Sequence, residues 1–218
     1  MKTLCKILLI IAAVAFSACR KEDANKDYGF PKVYIPQATV TGIDNSYPIP
    51  QGPFYRNSVY TCSYDRQSGK LEIVLGVIRS GYFARQSAYS VSLGVSSAET
   101  TRKLDEYANA ETPAAALSPS LCTIPDKISV PEGESGATCR IAVDLKALSQ
   151  QRAAIFEGGR YKLLVLGLEI SQLQGPADYV LADQYTSVVV VLDLGSEHWD
   201  SVPADKPESE VRSLFPFD

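Results

Sequence analysis

The sequence is poor in the residues that carry most site chemistry. Among 218 residues there is one histidine, one tryptophan and one methionine. A single histidine leaves little material for a zinc site, which takes its ligands mainly from His and Cys. The five cysteines form no C-x-x-C pair. Positive charge is scarce too: 21 Lys and Arg against 25 Asp and Glu give a net charge of −4 and a pI near 5.2. A nucleic-acid binder needs a Lys- and Arg-rich face, and this composition argues against one. Neither G-x-S-x-G, H-E-x-x-H nor G-x-x-x-x-G-K-[ST] occurs, so the common hydrolase, metalloprotease and phosphate-loop patterns are missing. No metal and no cofactor is implied. What remains is 45% hydrophobic and 21% charged with a mean hydropathy of −0.04, the composition of a globular domain rather than a disordered or polytopic chain.

The longest apolar run, Ile7–Phe16, follows Lys2 and Lys6. Ten helical residues span about 15 Å, half of a ~30 Å hydrocarbon core, so the run reads as a signal-peptide core and not a membrane span. It leads into Phe16-Ser17-Ala18-Cys19, which resembles a bacterial lipobox, in which the cysteine is lipidated and becomes the first residue. Lys21, Glu22 and Asp23 follow at once and resemble the surface-export signal of Bacteroidetes lipoproteins. Residues 1–18 are then a signal peptide, Cys19 a lipid anchor and 19–30 a polar tether. The implied location is the outer membrane, lipid-anchored and facing the cell exterior. Acyl chains contribute ~0.8 kcal/mol per buried CH₂, so two or three anchor stably where one is marginal. Loss of residues 1–18 removes two lysines and deepens the net charge from −4 to −6.

With Cys5 in the signal and Cys19 at the anchor, Cys62, Cys122 and Cys139 remain. Three thiols allow at most one bridge, with three possible pairings. Cys139 alternates with Ile141, Val143 and Leu145 and reads as a small buried hydrophobe. The pattern favours three free thiols, with one bridge as the alternative.

From Lys32 onward the chain reads as strands. Lys32–Ile35, closed by Pro36, suits an edge strand. Ser58–Tyr64, a polar turn ending in Gly69, and Lys70–Ile78 form a predicted hairpin, with Leu71, Ile73, Leu75 and Val77 on one face at period two. Val91, Leu93 and Val95 alternate with small polar residues as in a half-buried strand. Leu121–Ile124, Lys127–Val130 and Ala137–Leu145 are further strands, and 99–109 and 146–155 read as short helices. Tyr161–Ile170 and Tyr185–Leu194 are apolar nearly throughout, as strands covered on both faces would be. The expected fold is all-β, an antiparallel β-sandwich over 31–195 with one or two short helical segments. The tail 196–218 is expected to be extended or disordered.

Four segments carry a resemblance. They are Lys32-Val33-Tyr34-Ile35-Pro36-Gln37-Ala38, Leu104-Asp105-Glu106-Tyr107-Ala108-Asn109, Ile128-Ser129-Val130-Pro131-Glu132-Gly133 and Tyr185-Thr186-Ser187-Val188. Together they resemble the Ig-like N-terminal domain, of unassigned function, in Bacteroidetes lipoproteins encoded with SusC/SusD-type glycan-uptake systems. The resemblance implies an Ig-like sandwich, and SusC- and SusD-like proteins as partners.

No catalytic constellation is legible. His198 lies in the tail beside Trp199, and the acidic pairs Asp105/Glu106 and Glu132/Glu134 fall on a predicted helix and in a turn. Aromatic residues in loops are the remaining candidates, because sugar rings stack their apolar faces on exposed rings. Tyr47, Phe54 and Tyr55 share one Pro- and Gly-rich loop, Tyr82 and Phe83 sit beside Arg79 and Arg85, and Trp199 falls outside the predicted core. Each of these rings can equally plug the end of the sandwich. The expectation is a non-enzymatic surface lipoprotein that binds glycan or glycoprotein beside an uptake system. The alternative is a structural or adhesive subunit of the pilin or anchor type, with a strand exchanged between copies.

Overall fold

A computed structural model describes residues 29–42, 44–51, 62–83, 86–202, 211 and 213–215. Two sheets face each other. The first contains β1 (Lys32–Tyr34), β3 (Cys62–Asp65), β4 (Lys70–Arg79), β7 (Cys122–Thr123), β9 (Gly136–Asp144) and β13 (Val180–Leu181), in the order β13-β1-β4-β9-β7, with β3 also paired to β4. The second contains β2 (Ser46–Ile49), β5 (Tyr89–Val95), β6 (Ala114–Ala116), β8 (Lys127–Val130), β12 (Leu163–Gln174) and β14 (Ser187–Leu192), in the order β2-β14-β12-β5-β8, with β6 beside β12. A small hairpin, β10 (Phe156–Glu157) with β11 (Arg160–Tyr161), completes the strands described. Between the sheets lies one continuous core that includes Leu71, Ile73, Ile141, Leu164, Leu166 and Val190.

The predicted hairpin is present. Cys62 pairs with Ile73 and Asp65 with Lys70. The Asp65 carboxylate accepts the Gln67 N–H at 3.0 Å and the Ser68 hydroxyl at 2.5 Å, and Gly69 turns the chain with φ +70°, a conformation that favours glycine.

The two nearly continuous apolar strands are β12 and β14, and both their faces are covered. Leu164, Leu166 and Leu168 point into the sandwich, while Val165, Val189 and Val191 form a second, smaller cluster with Leu104 and Tyr107. Those last two belong to α1 (Ser97–Asn109), which lies across the outer face of this sheet. Ser96 caps α1 by accepting the Glu99 N–H, in the Ser-x-x-Glu pattern of a helix start. Gly167 permits the contact: a Cβ there would stand 2.5 Å from the Ser96 carbonyl oxygen. Its N–H donates to Thr100 Oγ1 at 2.9 Å. The other described helices, α2 (Leu145–Ser149) and α3 (Arg152–Ile155), are single turns.

Four expectations change. β1 is internal, flanked by β13 and β4. The sheets are mixed: β1–β13, β6–β12 and β2–β14 are parallel pairs. Parallel partners are joined through long crossovers, so no local turn signals them. Residues 46–49, read as loop, form β2. The described residues of the tail also belong to the fold. Glu197–Ser201 is a 3₁₀ turn, and Trp199, Val202, Val211 and Phe215 are buried in the main core. Phe215 packs edge-on against Tyr161 at 5.6 Å. These widely spaced apolar residues have no periodicity among the prolines and acids around them, so no element is legible from pattern alone. Cys62, Cys122 and Cys139 are free thiols, and burial pushes each upward, to about 12, 11 and 11. Thiols raised in this way are inert.

Candidate functional site

The aromatic candidates separate by burial. Tyr47 lies on β2, fully buried, and its hydroxyl donates across the sandwich to the Val74 carbonyl at 3.1 Å. Trp199 is 1% exposed and its indole N–H donates to the Asp193 carbonyl at 3.2 Å. Neither ring presents a face to a ligand; both fill the core because only burial satisfies that much apolar area. Tyr82 is 44% exposed. Phe83 is half-buried, with the Arg79 guanidinium 4.6 Å from its ring centre. Phe54, Tyr55, Arg85, Cys19, Lys21, Glu22 and Asp23 lie outside the described residues.

The acidic pairs occupy ordinary surface positions. Glu106 accepts from Lys103 at 2.8 Å, and Asp105, Glu132 and Glu134 are exposed. His198 sits half-buried in the 3₁₀ turn, where its backbone N–H donates to Ser196 Oγ at 3.1 Å. Among the described residues there is no group of His, Cys, Asp and Glu placed to hold a metal ion, and no helix is long and apolar enough to cross a membrane.

Concave surface that gathers tyrosine and amide side chains lies elsewhere. Two clefts, of about 420 and 460 Å³, flank the turn Asp183-Gln184-Tyr185 between β13 and β14. Lys32, Tyr34, Thr39 and Ser80 line the first, and Asn45, Glu99, Thr186 and Ser187 line the second. Backbone hydrogen bonds fix the turn at both ends: Ala182 N–H donates to the Val33 carbonyl at 2.9 Å, and Ile35 N–H to the Tyr185 carbonyl at 2.8 Å. Tyr185 stands at φ +67°, a left-handed conformation that a bulky side chain adopts only when its surroundings impose it. The strain is of order 1–3 kcal/mol. Lys32 Nζ donates to Asp183 at 2.7 Å, and that hydrogen bond lowers the Asp183 pKa. The Asp183 side chain is largely exposed and that of Lys32 partly so, so the pair fixes an orientation and adds little stability.

Chemically the clefts offer two tyrosine rings, two amides, hydroxyls, the Lys32–Asp183 pair and a second carboxylate, Glu99. That is the inventory of a site for a polar ligand with apolar faces. Tyr34, Gln184 and Tyr185 lie outside the loop aromatics that the sequence offers as candidates. The available signal is that Tyr34 and Tyr185 belong to two of the four segments carrying the resemblance, 151 residues apart in sequence yet joined here through Ile35 and Tyr185.

No family model matches the chain, and no curated protein does. Among solved structures it is similar to a Bacteroides ovatus protein provisionally described as carbohydrate binding, at 14% identity and TM-score 0.46, over 75% of this chain and 37% of that one. It is also similar to a multidomain Bacteroides ovatus protein that includes a domain of unknown function (15%, TM-score 0.49, 73% and 44%). A third is an auxiliary nutrient binding protein from Bacteroides thetaiotaomicron (14%, TM-score 0.43, 68% and 43%). The chain spans less than half the length of each of these three.

Proposed function

We propose that this protein is a non-catalytic lipoprotein of a Bacteroidetes-type cell surface, anchored in the outer membrane through Cys19, that captures glycan or glycoprotein beside a SusC/SusD-like uptake system. The observation carrying the binding role is the pair of clefts around Asp183-Gln184-Tyr185, where Tyr34 and a strained Tyr185 stand among amides and hydroxyls. A rigid ring spends little conformational entropy on binding, and the flanking polar groups select among hydroxyls. The anchor and export signal of the N-terminus support the surface location.

A glycan array probed with the detergent-purified full chain tests the reading. Binding to at least one glycan class is expected, weakened about tenfold by Tyr185→Ala, the loss of one stacking contact plus its hydrogen bond. Silence across plant and host glycans, or binding untouched by both Tyr185→Ala and Gln184→Ala, contradicts it. Polymer ladders on unheated gels would favour the adhesive alternative. Whole-cell protease shaving that leaves the chain intact, or an unmodified N-terminus by intact mass, contradicts the surface anchor.

A further inference from the structure

The core face of β4 runs Leu71, Ile73, Leu75, Val77 and then Arg79. Period two thus places a guanidinium at the fifth core position, where it is 2% exposed. Two rings meet it: Phe83, with its centre 4.6 Å from Cζ, and Tyr179 at 5.4 Å. Nε, Nη1 and Nη2 are all buried, and none has a hydrogen-bond partner among the described residues. The two neighbouring phenols are committed elsewhere, Tyr89 donating to the Ser135 carbonyl at 2.9 Å and Tyr179 to the Ser87 carbonyl at 3.5 Å.

Aromatic faces balance part of the cation's charge but provide no strong acceptor for its five N–H groups. A buried charge without acceptors is among the costliest features a core can hold. The acceptor that suits a planar fork of donors is a carboxylate, bound by two parallel hydrogen bonds. Three residues along the chain, Tyr82 is 44% exposed, an aromatic surface on which an apolar sugar face can stack.

We infer that Arg79, held between Phe83 and Tyr179, is a receptor for the carboxylate of an acidic sugar, at a site separate from the clefts of the 183–185 turn. The sugar as carrier rests on the binding role proposed above; the carboxylate rests on Arg79 alone. Phe83 is the more exposed of the two covering rings, so the ligand reaches the guanidinium by displacing it. The negative net charge of the chain opposes any acidic ligand at long range, which makes the local fork the source of affinity.

Calorimetric titration of the full chain with a galacturonate oligomer, its methyl ester and a poly-glutamate peptide tests this. The oligomer is expected to bind, and its methyl ester at least about tenfold more weakly. Arg79→Met abolishes that difference while the urea midpoint stays or rises. Arg79→Lys, which keeps the charge but loses the fork, retains only part of the affinity and covers the case in which Arg79→Met does not fold. Equal binding of acid and ester, or acid binding unchanged in both variants, overturns the inference. Arg79-dependent binding of the peptide as tight as that of the sugar overturns the sugar as carrier. Neutral-glycan binding that depends on Tyr185, with no binding of the galacturonate oligomer, leaves the broader proposal standing while this one fails.

Discussion

Among the described residues two cations are buried, and they are treated differently. Lys103 on α1 is 3% exposed and Arg79 on β4 is 2% exposed. Lys103 donates to Asp44 and to Glu106 and faces the Tyr107 ring at 4.9 Å. Asp44 in turn accepts from Thr41 Oγ1 at 2.6 Å and from Ser46 through both its N–H and its hydroxyl. The result ties the segment before β2 to the outer helix with its acceptors filled. Arg79 has rings on its flanks and no acceptor among the described residues. Burial costs both cations, but only the first is compensated within the fold. A closed network of this kind is a fastening, whereas an open fork is a stability cost that a ligand can offset.

Substitutions separate the two. Lys103→Ala leaves the Asp44 carboxylate half-buried without its cation and will cost about 3–5 kcal/mol by urea unfolding, the range for breaking a buried pair. Asp44→Asn keeps the Thr41 and Ser46 contacts and leaves Glu106 on Lys103, so a loss nearer 1–3 kcal/mol is expected from one charged hydrogen bond. The pH dependence follows from the same group. Burial pushes the Asp44 carboxyl up, but hydrogen bonds from Lys103, Thr41 and Ser46 outweigh it and hold it well below its ordinary 3.8. Its contribution is therefore present above that ordinary value and is lost as pH falls toward the depressed one. The urea midpoint of the wild type will fall between pH 5 and pH 2, and Asp44→Asn will flatten that component. Arg79→Met is the smallest effect and carries the opposite sign. Two desolvated ring contacts are lost, each up to about 2 kcal/mol, against the several kcal/mol cost of a buried unpaired charge. Stability unchanged or slightly raised is expected; a loss as large as that of Lys103→Ala would erase the distinction.

Much of the fold was legible because it is written in short range. The β4 alternation, the turn at Gly69 and the helix over 99–109 each depend on residues within a few positions of one another. The double apolar faces of β12 and β14 were legible as well, since a strand under a helix needs no polar side. The site was not legible for the converse reason. Tyr34 and Tyr185 meet only through strand pairings that cross most of the chain, and nothing local marks Tyr185 as left-handed. Loop aromatics were a poor guide, because Tyr47 and Trp199 are rings with a single polar atom that a carbonyl can satisfy in the core. Arg79 is legible beside Phe83 in the sequence, but its burial shows only once β1, β4 and Tyr179 are in place.

A cation kept without an acceptor takes one when it is supplied. Nitrogen-15 NMR of arginine and lysine side chains during titration of the full chain with galacturonate oligomer reads this at the atoms concerned. The result expected is a progressive shift of Arg79 Nε–H with Lys103 Nζ unmoved. An Arg79 signal that stays fixed while the sugar binds, or one that moves only together with Lys103, would contradict it.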